Sequence, residues 1–206
     1  MTNKIELHTA SKIYCIDTHR VMPPAETLKR VQSAVPDIGV TRIADISGLD
    51  RIGLPVFSAI RPSAADGAIS VYAGKGTTET EARVSVIMEA VERFSAEVTN
   101  FEGQLQFDSY EHLSADNFAV NPADLILPGY LSKDTKIEWY SGWDILNDEE
   151  VIVPANAVFH PYSPVQGHWQ LFRSNTNGLA SGNVMEEAIF HGLMEVIERD
   201  AVSIAE

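Results

Sequence analysis

Hydrophobic and polar positions follow two rhythms along this chain. Short apolar or alternating runs at IYCI (13–16), TRIADI (41–46), PVFSAI (55–60) and AISVYA (68–73) predict strands, while AETLKRVQSAV (25–35) has helical spacing. A second helix is predicted over about 79–98, followed by a stretch from Asp108 to Pro128 rich in Asn, Asp and Pro that reads as loop with short helical pieces. IEWYSGWDIL and EVIVPANAVF flank Asn147 and Asp148, which predicts a hairpin. HWQLFR (168–173) reads as one more strand, leading through the small polar loop SNTNGLASGN into a final helix. The expected class is α/β (α+β), with two strand–loop–helix units at about 68–98 and 168–206.

Those two units carry one pattern twice. EARVSVIMEAVERF (81–94) and EAIFHGLMEVIERD (187–200) superpose on a shift of 106 residues, which aligns Gly76 with Gly182, Glu81 with Glu187, Glu89 with Glu195, Glu92 with Glu198 and Arg93 with Arg199. At about 100° per residue, Glu81, Ser85, Glu89 and Glu92 fall within roughly 80° of one another, and apolar residues occupy most of the remaining circumference. The first helix is therefore expected to be buried on most sides, and the second repeats the stripe with Glu187, His191, Glu195 and Glu198. Thr78 with Glu81, and Asn183 with Glu186, are candidate capping pairs.

A solvated face is the ordinary explanation for an acidic stripe. Three carboxylates on one face repel one another, however, and no lysine is interleaved on the stripe itself. A site for hard cations requires oxygen ligands, and Mg²⁺ favours carboxylates together with phosphate oxygens. Two such stripes facing each other would suit a nucleotide held through magnesium, so Glu89, Glu92, Glu195 and Glu198 are expected to converge, with some carboxyl pKa values raised. The loops GKGTT (74–78) and GLASGN (178–183) precede the two helices, where glycines let backbone N–H groups approach an anion. Neither is a P-loop, because GxxxxGK[ST] is absent.

Composition narrows the classes. The 206 residues are 45% hydrophobic and 21% charged, and no apolar run approaches a membrane span. Fifteen Lys+Arg against 29 Asp+Glu give a formal charge of −14, which opposes binding to nucleic acid. The single cysteine, Cys15, and an N-terminus without a secretory apolar core predict a cytoplasmic protein with no internal disulfide. Cys15 reads as a buried strand thiol, Trp139, Trp143 and Trp169 as strand residues of core or sheet face, and His191, on the acidic stripe, as a hydrogen-bonded helix histidine in preference to a neighbour of the site. The six histidines show no metal-ligand spacing.

GKGTTETEARVSVIMEAVERFSAE, followed by SNTNGLASGNVMEEAIFHGLMEVIERDA, resembles the YcaO domain family. THRVMPPAETL and the hairpin WDILNDEEVIVPA resemble it too, so the likeness covers roughly residues 17–206. The resemblance implies one YcaO-like domain over 1–206, an ATP-binding fold whose acidic helices hold nucleotide phosphates through Mg²⁺. It also implies phosphorylation of a peptide backbone amide oxygen, then attack by a Cys, Ser or Thr side chain to give an azoline, or by sulfide to give a thioamide. Residue by residue, it implies nucleotide contacts at Arg20, Thr27, Ser85, Asn183 and Arg199, and metal contacts at Glu89, Glu92, Glu187, Glu195 and Glu198. It assigns no role to Lys75 or Glu81.

Family members are longer, so the resemblance implies an N-terminal half, either a fragment or a natural truncation. Thioamidation with a TfuA-like partner is the preferred chemistry. A truncated, non-catalytic protein that binds a peptide or partner is the alternative, and a metal-dependent phosphohydrolase is a third reading of the same carboxylates. A terminal helix without a Gly cap or proline stop, still of apolar type, predicts a surface that seeks a second copy in a homo-oligomer, or the missing C-terminal half of the domain.

Overall fold

The structure, a computed structural model, describes residues 4–15, 18–101, 103–164 and 168–205. Ile16, at the end of the predicted IYCI strand, Asp17 at the start of the resemblance and the terminal Glu206 lie outside the described residues. The chain divides into two compact units, one of residues 7–95 with 176–206, the other of 96–175 with the first six residues.

The first unit opens with an antiparallel pair, β1 (Ile13–Cys15) and β2 (Thr18–Arg20), in which Tyr14 faces His19 and Cys15 faces Thr18. Helix α1 (Pro24–Val31) follows, started by Pro24 at a position whose backbone N–H has no helical acceptor. Strands β3 (Arg42–Asp45), β4 (Val56–Ile60) and β5 (Val71–Lys75) form an antiparallel sheet in the order β3-β4-β5. Alternation along β4 and β5 places Phe57, Ala59 and Tyr72 on the buried face. Helix α2 (Glu79–Ser95) covers that face and buries Ala82, Val86, Ile87 and Ala90.

Helix and strand meet without a side chain between them at Gly74. A Cβ there would lie 2.1 Å from the Val86 nitrogen and 2.6 Å from the Ala82 carbonyl. The strand predicted at 68–73 is displaced toward its C-terminal end because its pairing with β4 runs from Val71 opposite Ile60 to Lys75 opposite Val56. The terminal helix, α4 (Met185–Ala205), begins after the glycine loop of the second repeat.

The second unit is a three-stranded antiparallel meander, β6 (Gln106–Ser109), β7 (Lys136–Asp144) and β8 (Glu149–Pro154), with α3 (Tyr110–Asp116) capped by the Ser109 hydroxyl, which accepts from the His112 N–H at 3.3 Å. Trp139 is fully buried in β7 and donates its indole N–H to the Asp108 carbonyl at 2.9 Å. The predicted hairpin is present, with four turn residues instead of two. The Asp144 carboxylate accepts from the backbone N–H groups of Leu146 and Asn147, and Asp148 takes a left-handed φ of 55°. Beyond Pro154 the chain turns into a short 3-10 segment, so the second strand ends before the predicted ANAVF.

Three expectations are corrected. HWQLFR forms no strand, so only the first repeat has a strand before its loop. Its Leu171 and Phe172 instead offer backbone N–H groups to the buried Asn156 side chain, at 2.8 and 3.2 Å, which takes the place of ladder bonds. Trp169 is accordingly outside any strand and 64% exposed. Cys15 is half-buried in its two-stranded ribbon, too thin an element to enclose it.

The close approach at Gly74 generates a test. Gly74→Ala should destabilise the protein by about 2 kcal/mol or more, because the obstructing atoms are backbone and cannot rotate away. Gly48→Ala, where a Cβ meets nothing within 4 Å, should change stability by less than about 0.5 kcal/mol. Urea unfolding of the two variants checks the contrast.

Candidate functional site

Each acidic helix of the first unit is started by its own glycine loop in the same way. A Cβ on Gly76 would stand 2.5 Å from the Glu81 Cβ and 2.7 Å from the Ala82 nitrogen, and one on Gly182 would stand 3.0 Å from the Glu187 Cβ and 2.5 Å from the Ala188 nitrogen. The sequence duplication is thus a duplication of local geometry, with the loop tucked beneath the helix N-terminus in both copies.

The first glutamate of each stripe is committed to that geometry. On Glu81, Oε2 accepts from the Thr77 hydroxyl at 2.6 Å and the Thr78 N–H at 2.9 Å, while the Thr78 hydroxyl accepts from the Glu81 N–H at 3.2 Å. These bonds, the Thr77 hydroxyl first, hold the Glu81 carboxyl below its ordinary pKa. On Glu187, Oε2 accepts from the Asn183 backbone N–H at 3.3 Å and its amide at 3.2 Å. The expected pairing of Asn183 with Glu186 is replaced by this i,i+4 pairing, and the Glu186 carboxylate accepts from the His8 N–H at 2.7 Å instead.

The other oxygen of each glutamate is taken by β2. Thr18 donates to Glu81 Oε1 at 3.2 Å, and Arg20 donates to Glu187 Oε1 at 3.1 Å. Two residues apart on one strand, Thr18 and Arg20 share a face, so a single strand grips both helix starts. Helix α1 adds a second hold on the same loop: Thr27 donates to the Asn183 side-chain oxygen at 2.9 Å and Arg30 to its backbone carbonyl at 3.1 Å.

Between these elements lies a cavity of about 350 Å³. Of the residues singled out in the sequence, Arg20, Thr27, Ser85, Glu89, Glu92, Asn183 and Glu187 line it. So do Lys75, Glu81 and His191. Glu195, Glu198 and Arg199 are not among the lining residues. Arg199 donates through Nε and Nη2 to Glu195 Oε1 at 3.1 and 2.8 Å, and Glu195 Oε2 accepts from the Gly178 N–H at 3.2 Å. In the first repeat Arg93 approaches Glu89 at 3.9 Å and Glu92 at 3.7 Å. Both arginines therefore pair within their own helices.

The two stripes differ in surroundings. α2 lies on a sheet and against α1, and only Glu79, Arg83, Ser85 and Ser95 are exposed along it. α4 buries only Glu187 and Gly192, and Leu193, Val196 and Ile197 are exposed, so the apolar wrapping expected for it is absent within its unit. Burial pushes Glu92 up to about 7, and the neighbouring charges of Glu195 and Glu89 add to this against Arg93 and the Ser181 N–H. Glu92 and Glu195 are therefore electrostatic neighbours, whereas Glu198 is exposed. Among the described residues no three His, Cys, Asp or Glu side chains gather closely enough to grip a metal ion unaided. The oxygen donors of Glu89 and Glu92 on the wall of this cavity suit an ion whose remaining ligands arrive with a phosphate group.

Thr18 and Arg30 were not picked out from the sequence, whereas His191, whose place on the acidic stripe also allowed a site neighbour, lines the cavity. The signal for Thr18 was present in its spacing of two from Arg20. For Arg30, which reaches a backbone carbonyl, the sequence carries none.

A family model described as "YcaO cyclodehydratase, ATP- and Mg²⁺-binding" matches residues 73–206, more than half of the chain. An uncharacterized protein of Methanothermobacter thermautotrophicus is 57% identical over 183 residues, covering 89% of this chain and 46% of that protein. An uncharacterized protein in the tfuA 3′ region of Rhizobium leguminosarum bv. trifolii is 33% identical over 192 residues, covering 91% of this chain and 44% of that protein. The chain thus spans about half the length of the curated relatives it matches. Among solved structures, YcaO from Methanopyrus kandleri bound with AMPPCP and Mg²⁺ superposes with a TM-score of 0.73 at 33% identity, over 95% of this chain and 48% of that one. A heterocyclase in complex with substrate and cofactor shares the fold, with a TM-score of 0.77 at 22% identity over 97% of this chain and 30% of that one.

The raised Glu92 pKa makes stability depend on pH. The folded state retains this proton after the unfolded chain has released it, so the contribution is full below the ordinary glutamate range and is lost as pH rises to about 7. The wild type should lose more of its urea midpoint between pH 4.5 and pH 7.5 than Glu92→Gln does. Parallel midpoints across that range would contradict the assignment.

Proposed function

The chain belongs to the YcaO family, and on that premise we propose that it is the nucleotide-holding part of an ATP- and Mg²⁺-dependent enzyme that activates a peptide backbone amide. The observation that carries this reading is a cavity lined from both repeats and from the N-terminal strand and helix, with Glu89, Glu92, Ser85, Asn183, Arg20 and Thr27 around it. Glu89 and Glu92 would hold magnesium against the nucleotide phosphates, and Glu187 joins them if Arg20 moves its donors to a phosphate. Glu195 and Glu198, with Arg199, belong to the same proposed set and await a rearrangement of α4. When bound, Mg²⁺ offsets negative charge on the phosphates during transfer.

The chemistry asked of the substrate is balanced. An amide carbon is a poor electrophile because nitrogen donates into it and its oxygen is a poor leaving group. In the proposed reaction the amide oxygen forms a bond to the γ-phosphorus, and the bond from that phosphorus to ADP breaks. A nucleophile then attacks the carbon, and the original oxygen departs as phosphate. With sulfide as nucleophile the product is a thioamide; with a Cys, Ser or Thr side chain it is an azoline. The tfuA-region relative supports a TfuA-like protein as partner and, with it, thioamide formation; a peptide or protein substrate and a cytoplasmic location belong to the same proposal. No helix among the described residues is long and apolar enough to cross a membrane. The exposed apolar residues of α4 support a homo-oligomer as part of the same proposal.

One observation favours a second reading, a non-catalytic protein that binds a peptide or partner: Glu198 and Arg199 stand outside the cavity. Calorimetry with AMPPCP and Mg²⁺ separates the two. The catalytic reading expects binding that Glu89→Gln and Glu92→Gln each weaken by about tenfold or more, the loss of one charge-assisted contact. No heat and no thermal shift at millimolar nucleotide would favour the non-catalytic reading.

A further inference from the structure

His191 occupies on α4 the place that Ser85 occupies on α2, 106 residues earlier, and both line the cavity. A histidine in a helix ordinarily finds a partner one turn away, and here glutamates stand at both such positions, Glu187 and Glu195. Neither receives it. Glu187 Oε1 is held by Arg20 and its Oε2 by Asn183. Glu195 Oε1 is held by Arg199 and its Oε2 by Gly178. The hydrogen-bonded helix histidine expected from the sequence is therefore not formed among the described residues, and the ring is left exposed on the cavity wall.

Most polar groups around that cavity are committed elsewhere. Glu81 is held by Thr77, Thr78 and Thr18, and Thr27 is bonded to Asn183. The imidazole of His191, which lines the same cavity as Ser85 and Lys75, is by contrast a donor without a partner among the described residues, on the wall of the space in which the proposed phosphates would sit.

We propose that His191 donates a hydrogen bond to a phosphate oxygen of the bound nucleotide, from the α4 side of the cavity, as the counterpart of Ser85 on α2. It is a ligand contact distinct from the metal carboxylates, and it rests on the nucleotide reading above. Serine and histidine both place an X–H group one turn beyond the capping glutamate, and the longer imidazole reaches farther from α4 than the hydroxyl does from α2.

The test is titration of the full-length protein with AMPPCP and Mg²⁺, comparing the wild type with His191→Ala, His191→Asn and His191→Gln. Loss of one hydrogen bond to a charged group predicts an affinity about tenfold weaker for the alanine variant. At least one amide variant, each mimicking one ring nitrogen, should recover most of it. Unchanged melting temperatures of the ligand-free variants are expected from the exposed position, and the His191 ring resonances of the wild type should shift on adding the nucleotide with Mg²⁺. A wild type that binds, with His191→Ala within twofold of it, overturns this inference alone. A wild type that does not bind sinks the nucleotide reading, and this inference falls with it.

Discussion

The arrangement of the first unit depends on the pairing of two equivalent carboxylates with one short strand. Glu81 and Glu187 each use one oxygen to close their own glycine loop and offer the other to β2, through Thr18 and Arg20. An ionised carboxylate buried without donors is too costly to persist, so the bonds of Glu187, which is 4% exposed, act as a constraint on everything attached to its partners. Arg20, Asn183, Thr27 and Arg30 are linked through it, directly or through Asn183, and Arg20, Asn183 and Thr27 form part of the cavity wall.

The two repeats have divided the labour unevenly. α2 is enclosed by a sheet and a helix, so Glu92 is desolvated there and holds its proton unusually tightly. α4 offers the same residue types from a largely exposed helix, and its Glu195 and Arg199 satisfy one another. Identical sequence patterns thus have different electrostatics, because dielectric surroundings come from the neighbours of a helix and not from its own residues.

Much of this was legible in the residues, for reasons that can be named. The shift of 106 positions identified the repeat because the duplicated contacts are local, between a glycine and residues five and six places later. The period of α2 and the Thr78–Glu81 capping box were legible for the same reason. What escaped was non-local. HWQLFR has the composition of a strand, but the strand pairs that would make it one are absent and Asn156 takes its N–H groups. β6 escaped too, its second half falling in the segment from Asp108 read as irregular, since its pairing with β7 connects residues about thirty positions apart. The exposure of α4 could not be inferred from its pattern, which is that of α2.

The grip of β2 also makes that strand a ruler. Its two contacting residues are separated by one intervening position, His19, and a strand advances about 3.3 Å per residue, so the two holds lie roughly 6.6 Å apart along it. Substitution of a donor weakens one hold and leaves the other in place. An inserted or deleted residue between Thr18 and Arg20 does something different in kind: it turns one of the two side chains to the opposite face and removes the shared measure altogether. Homologous chains that preserve this site should therefore vary in letters across these three positions but not in length, and a gap falling there in an alignment would mark a lineage in which the two helix starts are no longer held in step.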